Sequence, residues 1–132
     1  MILKTGLDLI EIERIQAAYA RFGDRFLQRV FTPAEALECR GRAEALAVRF
    51  AAKEAAVKAL GTGIGPVGWL EVETLHHRSG EPYIVLHRRA QQVAARLGLE
   101  HWAVSLTHSR GMAAAVVVAL GGIPASPGTG GG

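Results

Sequence analysis

The period of the apolar positions changes several times along the chain, and each change marks an element. Ile2 to Ile10 is a mostly apolar run that reads as a strand, and helical spacing takes over from Glu11 to Phe22. Gly23-Asp24 interrupts it before a short helical stretch, Arg25 to Val30. Thr32-Pro33-Ala34-Glu35 is a helix start: Thr32 caps, Pro33 suits the first helical position and Glu35 completes a capping box. That helix should end near Arg40-Gly41. Ala43 to Leu60 is alanine-rich, free of Gly and Pro, and stopped by Gly61, which makes it the strongest helix in the chain. Gly61 to Gly68 is a glycine-rich loop containing Pro66.

The second half is mostly strand. Leu70 to His77 and Pro82 to Leu86 read as a hairpin around Ser79-Gly80, and Arg88 to Leu97 as a helix closed by Gly98. Trp102 to His108 and Met112 to Leu120 form a second hairpin around Ser109-Arg110-Gly111. This order predicts an α+β fold with helices packed on an antiparallel sheet. Residues 1–120 form one domain, and 121–132 are expected to be a disordered Gly/Pro-rich tail.

Composition narrows the setting. Hydrophobic residues make up 49% of the 132 and charged residues 20%, which excludes wholesale disorder. No run approaches ~18 apolar residues, so no membrane-spanning helix is expected. The start lacks the pattern of a signal peptide, and the single cysteine, Cys39, fits a reducing cytoplasm. The net charge is +3, and of the 15 basic residues only Lys4, Lys53 and Lys58 are lysines. Arginine favours bidentate contacts with carboxylate and phosphate, so an acidic or phosphorylated partner is one reading and genome composition the other.

Two carboxylates stand where carboxylates are costly. Asp8 interrupts Leu7-Asp8-Leu9-Ile10 on a strand expected to be central, and it either caps the following helix or needs a cation. Glu54 falls within roughly 40° of Phe50, at the edge of the apolar face of the long helix, with Lys58 at i+4. Alone it is a surface pair. Taken with Asp8 it suggests a Mg²⁺ site with few protein oxygens and open positions for water and phosphate. The loop Gly61-Thr62-Gly63-Ile64-Gly65-Pro66 follows its helix, so it is not a P-loop. A phosphate there would depend on loop amides and Lys58. Ser105 lacks the surroundings of a nucleophile elbow. Alternation turns Trp102, Val104 and Leu106 inward, which leaves His108 at the mouth of the sheet as a base or phosphate contact, or as a hairpin cap. His76, His77, His87 and His101 read as surface. Arg14, Arg21, Arg25 and Arg29 fall within roughly an 80° arc if the helical direction persists through Gly23. Such a stripe suits an acidic partner helix better than nucleic acid, because no aromatic residues interleave with it.

Three segments together resemble the bacterial holo-[acyl-carrier-protein] synthases, the short class of 4′-phosphopantetheinyl transferase. They are Gly6-Leu7-Asp8-Leu9-Ile10-Glu11-Ile12-Glu13-Arg14-Ile15, Arg49 to Gly63, and Val104-Ser105-Leu106-Thr107-His108. The resemblance implies a single half-unit of that fold, assembled as a cytoplasmic homotrimer with active sites at subunit interfaces. It implies transfer of phosphopantetheine from coenzyme A to a serine of apo acyl carrier protein, for fatty acid biosynthesis. Adenosine 3′,5′-bisphosphate is the other product. Asp8 and Glu54 match the Mg²⁺ ligands, Lys58 the basic residue beside the phosphates, Gly61, Thr62 and Gly63 the loop near the nucleotide, and His108 the histidine near the coenzyme. Three groups stand as the catalytic base: Glu54, a metal-bound water and His108. The preferred reading is a carboxylate acting through a metal-bound water. Glu35 is a weaker candidate for an extra acidic group. Arg14 matches a carrier-contact position, and Arg21 and Arg25 follow by geometry. The rivals are a basic module that binds an acidic protein or nucleic acid without chemistry, and a metal-dependent phosphohydrolase.

Overall fold

The computed structural model describes residues 1–122. The expected disorder of the tail therefore falls outside the described residues, except that Gly121 belongs to the last strand. In order the elements are β1 (Ile2–Glu11), α1 (Ile12–Phe22), α2 (Asp24–Val30), α3 (Pro33–Cys39), α4 (Ala43–Leu60), a 3₁₀ turn (Trp69–Glu71), β2 (Val72–His76), β3 (Pro82–Leu86), α5 (Arg88–Leu97), β4 (Leu99–Ser109) and β5 (Met112–Gly121). The α+β class holds. The strands divide into an antiparallel sheet in the order β1-β5-β4 and a separate β2-β3 hairpin.

Local chemistry sets the helix ends. The Thr32 hydroxyl accepts from the Glu35 amide at 3.2 Å, while Glu35 Oε1 accepts from the Thr32 amide at 2.9 Å, so the capping box of α3 is complete. Gly61, at φ +76°, turns its N–H back onto the Lys58 carbonyl and ends α4. Gly23, at φ +56°, lies between α1 and α2, so the two helices do not continue in one direction.

The strand reading needs two corrections. β1 is an edge strand, not a central one, because β5 returns from the last hairpin to pair with it and occupies the middle. In addition, Leu7 and Leu9 point away from the helices. Directly paired residues of an antiparallel sheet share a face. Gly6, Asp8 and Ile10 pair with Val117, Ala115 and Ala113, which in turn pair with Val104, Leu106 and His108. The three β5 residues are buried among the core residues that include most of α4. Leu3, Leu7, Leu9, Val116 and Val118 lie on the opposite face and are exposed.

Helix α4 is buried nearly all round, more fully than an amphipathic surface helix, with Leu46, Ala47, Ala51, Ala52, Ala55, Ala56 and Val57 inaccessible. Alanines on both α4 and β5 leave mostly short side chains between the helix and the central strand. At β1 the approach is closer still: a Cβ added at Gly6 would sit 1.7 Å from the Ala55 carbonyl oxygen. Only glycine fits there, and the reason is contact, not φ. Gly6→Ala must push α4 off the sheet. It should destabilise the fold by about 3 kcal/mol or more in urea unfolding, at the upper end of overpacking costs. A variant as stable as the parent would contradict the close approach.

Candidate active site

The close approach at Gly6 brings the next inward residue of β1, Asp8, beside the following turn of α4. Lys58 Nζ donates to Asp8 Oδ1 at 3.2 Å and to the Leu7 carbonyl at 2.8 Å. Glu54, one turn before Lys58, is half-buried. Burial pushes its carboxyl above the usual range, Asp8's charge adds to the rise, and Lys58 opposes it. The two carboxylates therefore repel each other across a partly dry gap with one lysine to balance them. That donor set fits a hard divalent cation, which neutralises both and leaves other positions open. Among the described residues no group of three or more His, Cys, Asp or Glu side chains is clustered for a metal.

The glycine loop continues from the same end of α4. The amides of Thr62 and Gly63 donate to the Val57 carbonyl, and Thr62 Oγ1 donates to Gly63 O. With Gly61 they complete the helix end instead of pointing free donors outward. No atom lies within 4 Å of a Cβ built on Gly61, Gly63 or Gly65, so the backbone there is open to close approach.

His108 does not join this group within one chain. It faces the helices from β4, separated from β1 by the whole of β5, or roughly 10 Å of sheet. It lines, with Val48, a cavity of about 720 Å³ in which Arg40, Arg42 and Arg49 outnumber the carboxylates of Glu38 and Glu44. Val48 and Arg49 lie roughly 120–140° around α4 from Glu54. Helix α4 thus carries the carboxylate pair on one flank and forms a wall of the basic cavity on another.

Several polar residues of this region gave no clear signal in the sequence. Arg49 is 4% exposed and donates to Glu38 Oε1 at 2.7 Å, while His76 Nδ1 lies 2.9 Å from Arg49 and 3.2 Å from Glu38. Burial pulls the Glu38 carboxyl up, but Arg49 and His76 outweigh it and leave it below its usual range. The Arg49 Nε is buried without a partner. His76 and His87 were expected at the surface, but both engage carboxylates, with His87 Nε2 3.0 Å from Glu73. Glu35 is no open-site acid: it is fully buried, with Oε1 2.7 Å from the equally buried Lys53 ammonium. Lys53 had a readable sign, a charge at a core phase of the strongest helix. Arg14, Arg21, Arg25 and Arg29 are all exposed, with Arg21 5.1 Å over the Phe22 ring, on a path that bends at Gly23.

Comparison with known proteins identifies the family. Residues 4–117 match the model of the 4′-phosphopantetheinyl transferase superfamily. Holo-[acyl-carrier-protein] synthase from Herpetosiphon aurantiacus is 50% identical over 91% of this chain and 100% of its own. Helicobacter pylori holo-[acyl-carrier-protein] synthase, solved in complex with coenzyme A, superposes with a TM-score of 0.81 at 32% identity over 88% of this chain and 99% of that one. The Neisseria meningitidis synthase gives 0.81 at 33% identity, over 89% and 97%. The chain belongs to the 4′-phosphopantetheinyl transferase superfamily, in its holo-[acyl-carrier-protein] synthase family.

Proposed function

We propose that this chain transfers the 4′-phosphopantetheine group of coenzyme A to a serine of apo acyl carrier protein, as a cytoplasmic step serving fatty acid biosynthesis. Family membership supports the reaction, and the observation that carries the site assignment is the Asp8–Glu54 pair facing Lys58 at the α4–β1 edge. A module that only binds acidic partners has no use for two adjoining inward carboxylates.

Asp8 and Glu54 would hold Mg²⁺, which supplies neutralisation of pyrophosphate charge and of the charge developing on the leaving phosphate. Lys58 exchanges its bond to Asp8 for a coenzyme phosphate, keeping a partner throughout. The serine oxygen attacks the phosphorus that bears the pantetheine, the phosphoanhydride bond breaks, and adenosine 3′,5′-bisphosphate leaves. The serine proton would pass through a water to one of the two carboxylates. Gly61, Thr62 and Gly63 offer the nucleotide an open backbone surface, and the cavity at His108 offers its phosphates a basic wall.

These two parts lie on separate flanks of α4, so a coenzyme that uses both must bridge two copies of the chain. The exposed face of Leu3, Leu7, Leu9, Val116 and Val118 gives the copies an apolar surface to bury. We therefore read the assembly as a homotrimer with a site at each interface. Arg14, Arg21 and Arg25 form the docking surface for the acidic carrier protein, with Phe22 among them.

Incubation with coenzyme A, Mg²⁺ and apo carrier protein should add one phosphopantetheine group to the carrier, read by intact mass. No gain with several acidic carriers would sink the transferase reading, and cleavage of coenzyme A without a carrier would favour a hydrolase. Asp8→Ala and Glu54→Ala should each lower kcat by about 10²-fold or more while the far-ultraviolet circular dichroism stays unchanged, since each removes one of two protein ligands. A near-normal rate in Asp8→Ala would refute the metal assignment. Arg14→Glu should raise the carrier KM by about tenfold at low salt, less at high salt, with coenzyme A affinity unchanged. An unchanged carrier KM would return the arginines to solvent.

A further inference from the structure

Lys53 takes no part in the chemistry proposed above, yet it is the most completely partnered charge in the protein. Its ammonium has three protons and meets three acceptors: Glu35 Oε1 at 2.7 Å, the Trp69 carbonyl at 2.9 Å and the Val72 carbonyl. The side chain is wholly inaccessible. Burial pushes the ammonium below its usual range, and the Glu35 charge resists. Removing such a group from water costs several kcal/mol, so stability alone is a weak reason for a charge at this position.

The interface between α4 and the sheet is made largely of small side chains: β5 turns Ala113, Ala115, Val117 and Ala119 toward the alanine-rich α4, and β1 brings Gly6 against Ala55. Such a surface sets the depth of the helix but offers few knobs to stop it rolling. A roll of ~10° would move a carboxylate at the helix circumference by about 1 Å. Glu54, the residue after Lys53, must meet Asp8 on a separate element, so the roll angle of α4 decides whether the pair forms. The two backbone carbonyls gripped by Lys53 belong to the 3₁₀ turn and β2, on the side of α4 away from β1. Trp69, which supplies one of them, also stacks on Phe50 of the preceding turn, with ring centroids 4.7 Å apart.

We propose that Lys53 is a positioning residue: by gripping the Trp69 and Val72 carbonyls it fixes the rotation of α4 and so holds Glu54 opposite Asp8. Glu35 supplies the charge that makes the buried ammonium tolerable, but it does not set the angle. This rests on the reading of Glu54 as a metal ligand, and the test separates the two.

Two variants are compared with the parent: Glu35→Gln, which leaves Lys53 both carbonyls, and Lys53→Met combined with Glu35→Gln, which removes the grip without stranding a charge. Measurements are the melting temperature, Mn²⁺ affinity by calorimetry, kcat and coenzyme A KM, and a crystal structure of the double variant. Both variants should lose stability. Glu35→Gln should keep kcat and Mn²⁺ affinity within about threefold, whereas the double variant should lose about 10²-fold in kcat with little change in coenzyme A KM. It should bind Mn²⁺ at least about tenfold more weakly, with α4 rolled in the crystal. A double variant with parental kcat and Mn²⁺ affinity per folded molecule overturns the proposal and leaves Lys53 a structural residue. If the double variant does not fold, Lys53→Gln combined with Glu35→Gln, which offers the carbonyls a shorter, neutral donor, takes its place and is read by the same two outcomes. A rolled α4 with unchanged Mn²⁺ affinity upholds the grip and removes Glu54 from the metal site.

Discussion

The structure depends on how closely one helix lies on one sheet. Helix α4 touches β1 so tightly that the Ala55 carbonyl occupies the space a side chain would need at Gly6. Two residues along β1 the next inward position is Asp8, and along α4 the neighbouring residue is Glu54. The contact that excludes a Cβ therefore also brings the two carboxylates together. Small residues are a packing requirement at this junction, and the site is its by-product. Repulsion and partial burial raise the cost of the carboxylate pair, and among the described residues Lys58 is the opposing side chain in direct contact with Asp8.

The same helix divides the functional surface. The basic cavity at His108 opens on another flank, beyond the central strand, where Arg49 is held nearly buried by Glu38 and His76. Neither flank has both the carboxylates and the basic cavity. The outer face of the sheet is apolar and open. A divided site and an uncovered apolar face are two separate reasons to propose association, and a cyclic assembly would satisfy both, with each copy lending one flank to a neighbour.

Much of this was legible in the sequence because local rules govern it. The capping box at Thr32 and Glu35, the closing glycines and the alanine-rich run announce their elements without tertiary information, and the chain obeys them. Asp8 and Glu54 stood out because a carboxylate in an apolar pattern needs a reason. Long-range placement was not legible. Nothing in Ile2 to Glu11 says that β5 will return to the middle and leave β1 at the edge, or which side Leu7 and Leu9 will face. Glu35 read as a capping residue and a weaker candidate for an extra acidic group, because its partner, Lys53, is 18 positions away and joined to it only by folding. His76 and His87 were passed over for the same reason, their carboxylate partners being remote in sequence.

The central claim is that one working site draws its carboxylates from one copy of the chain and its basic cavity from another. Co-expression of differently tagged Glu54→Ala and His108→Glu chains, each inactive alone, tests it most directly. In a cyclic assembly with random mixing, about a quarter of the interfaces receive an intact half from each variant. Every mixed trimer purified through both tags has one intact interface in three, so the purified pool should regain carrier modification at about a third of the parental rate. Mixed assemblies as inactive as the two variants separately would mean that each chain works alone, and the division of the site across α4 would have no functional meaning.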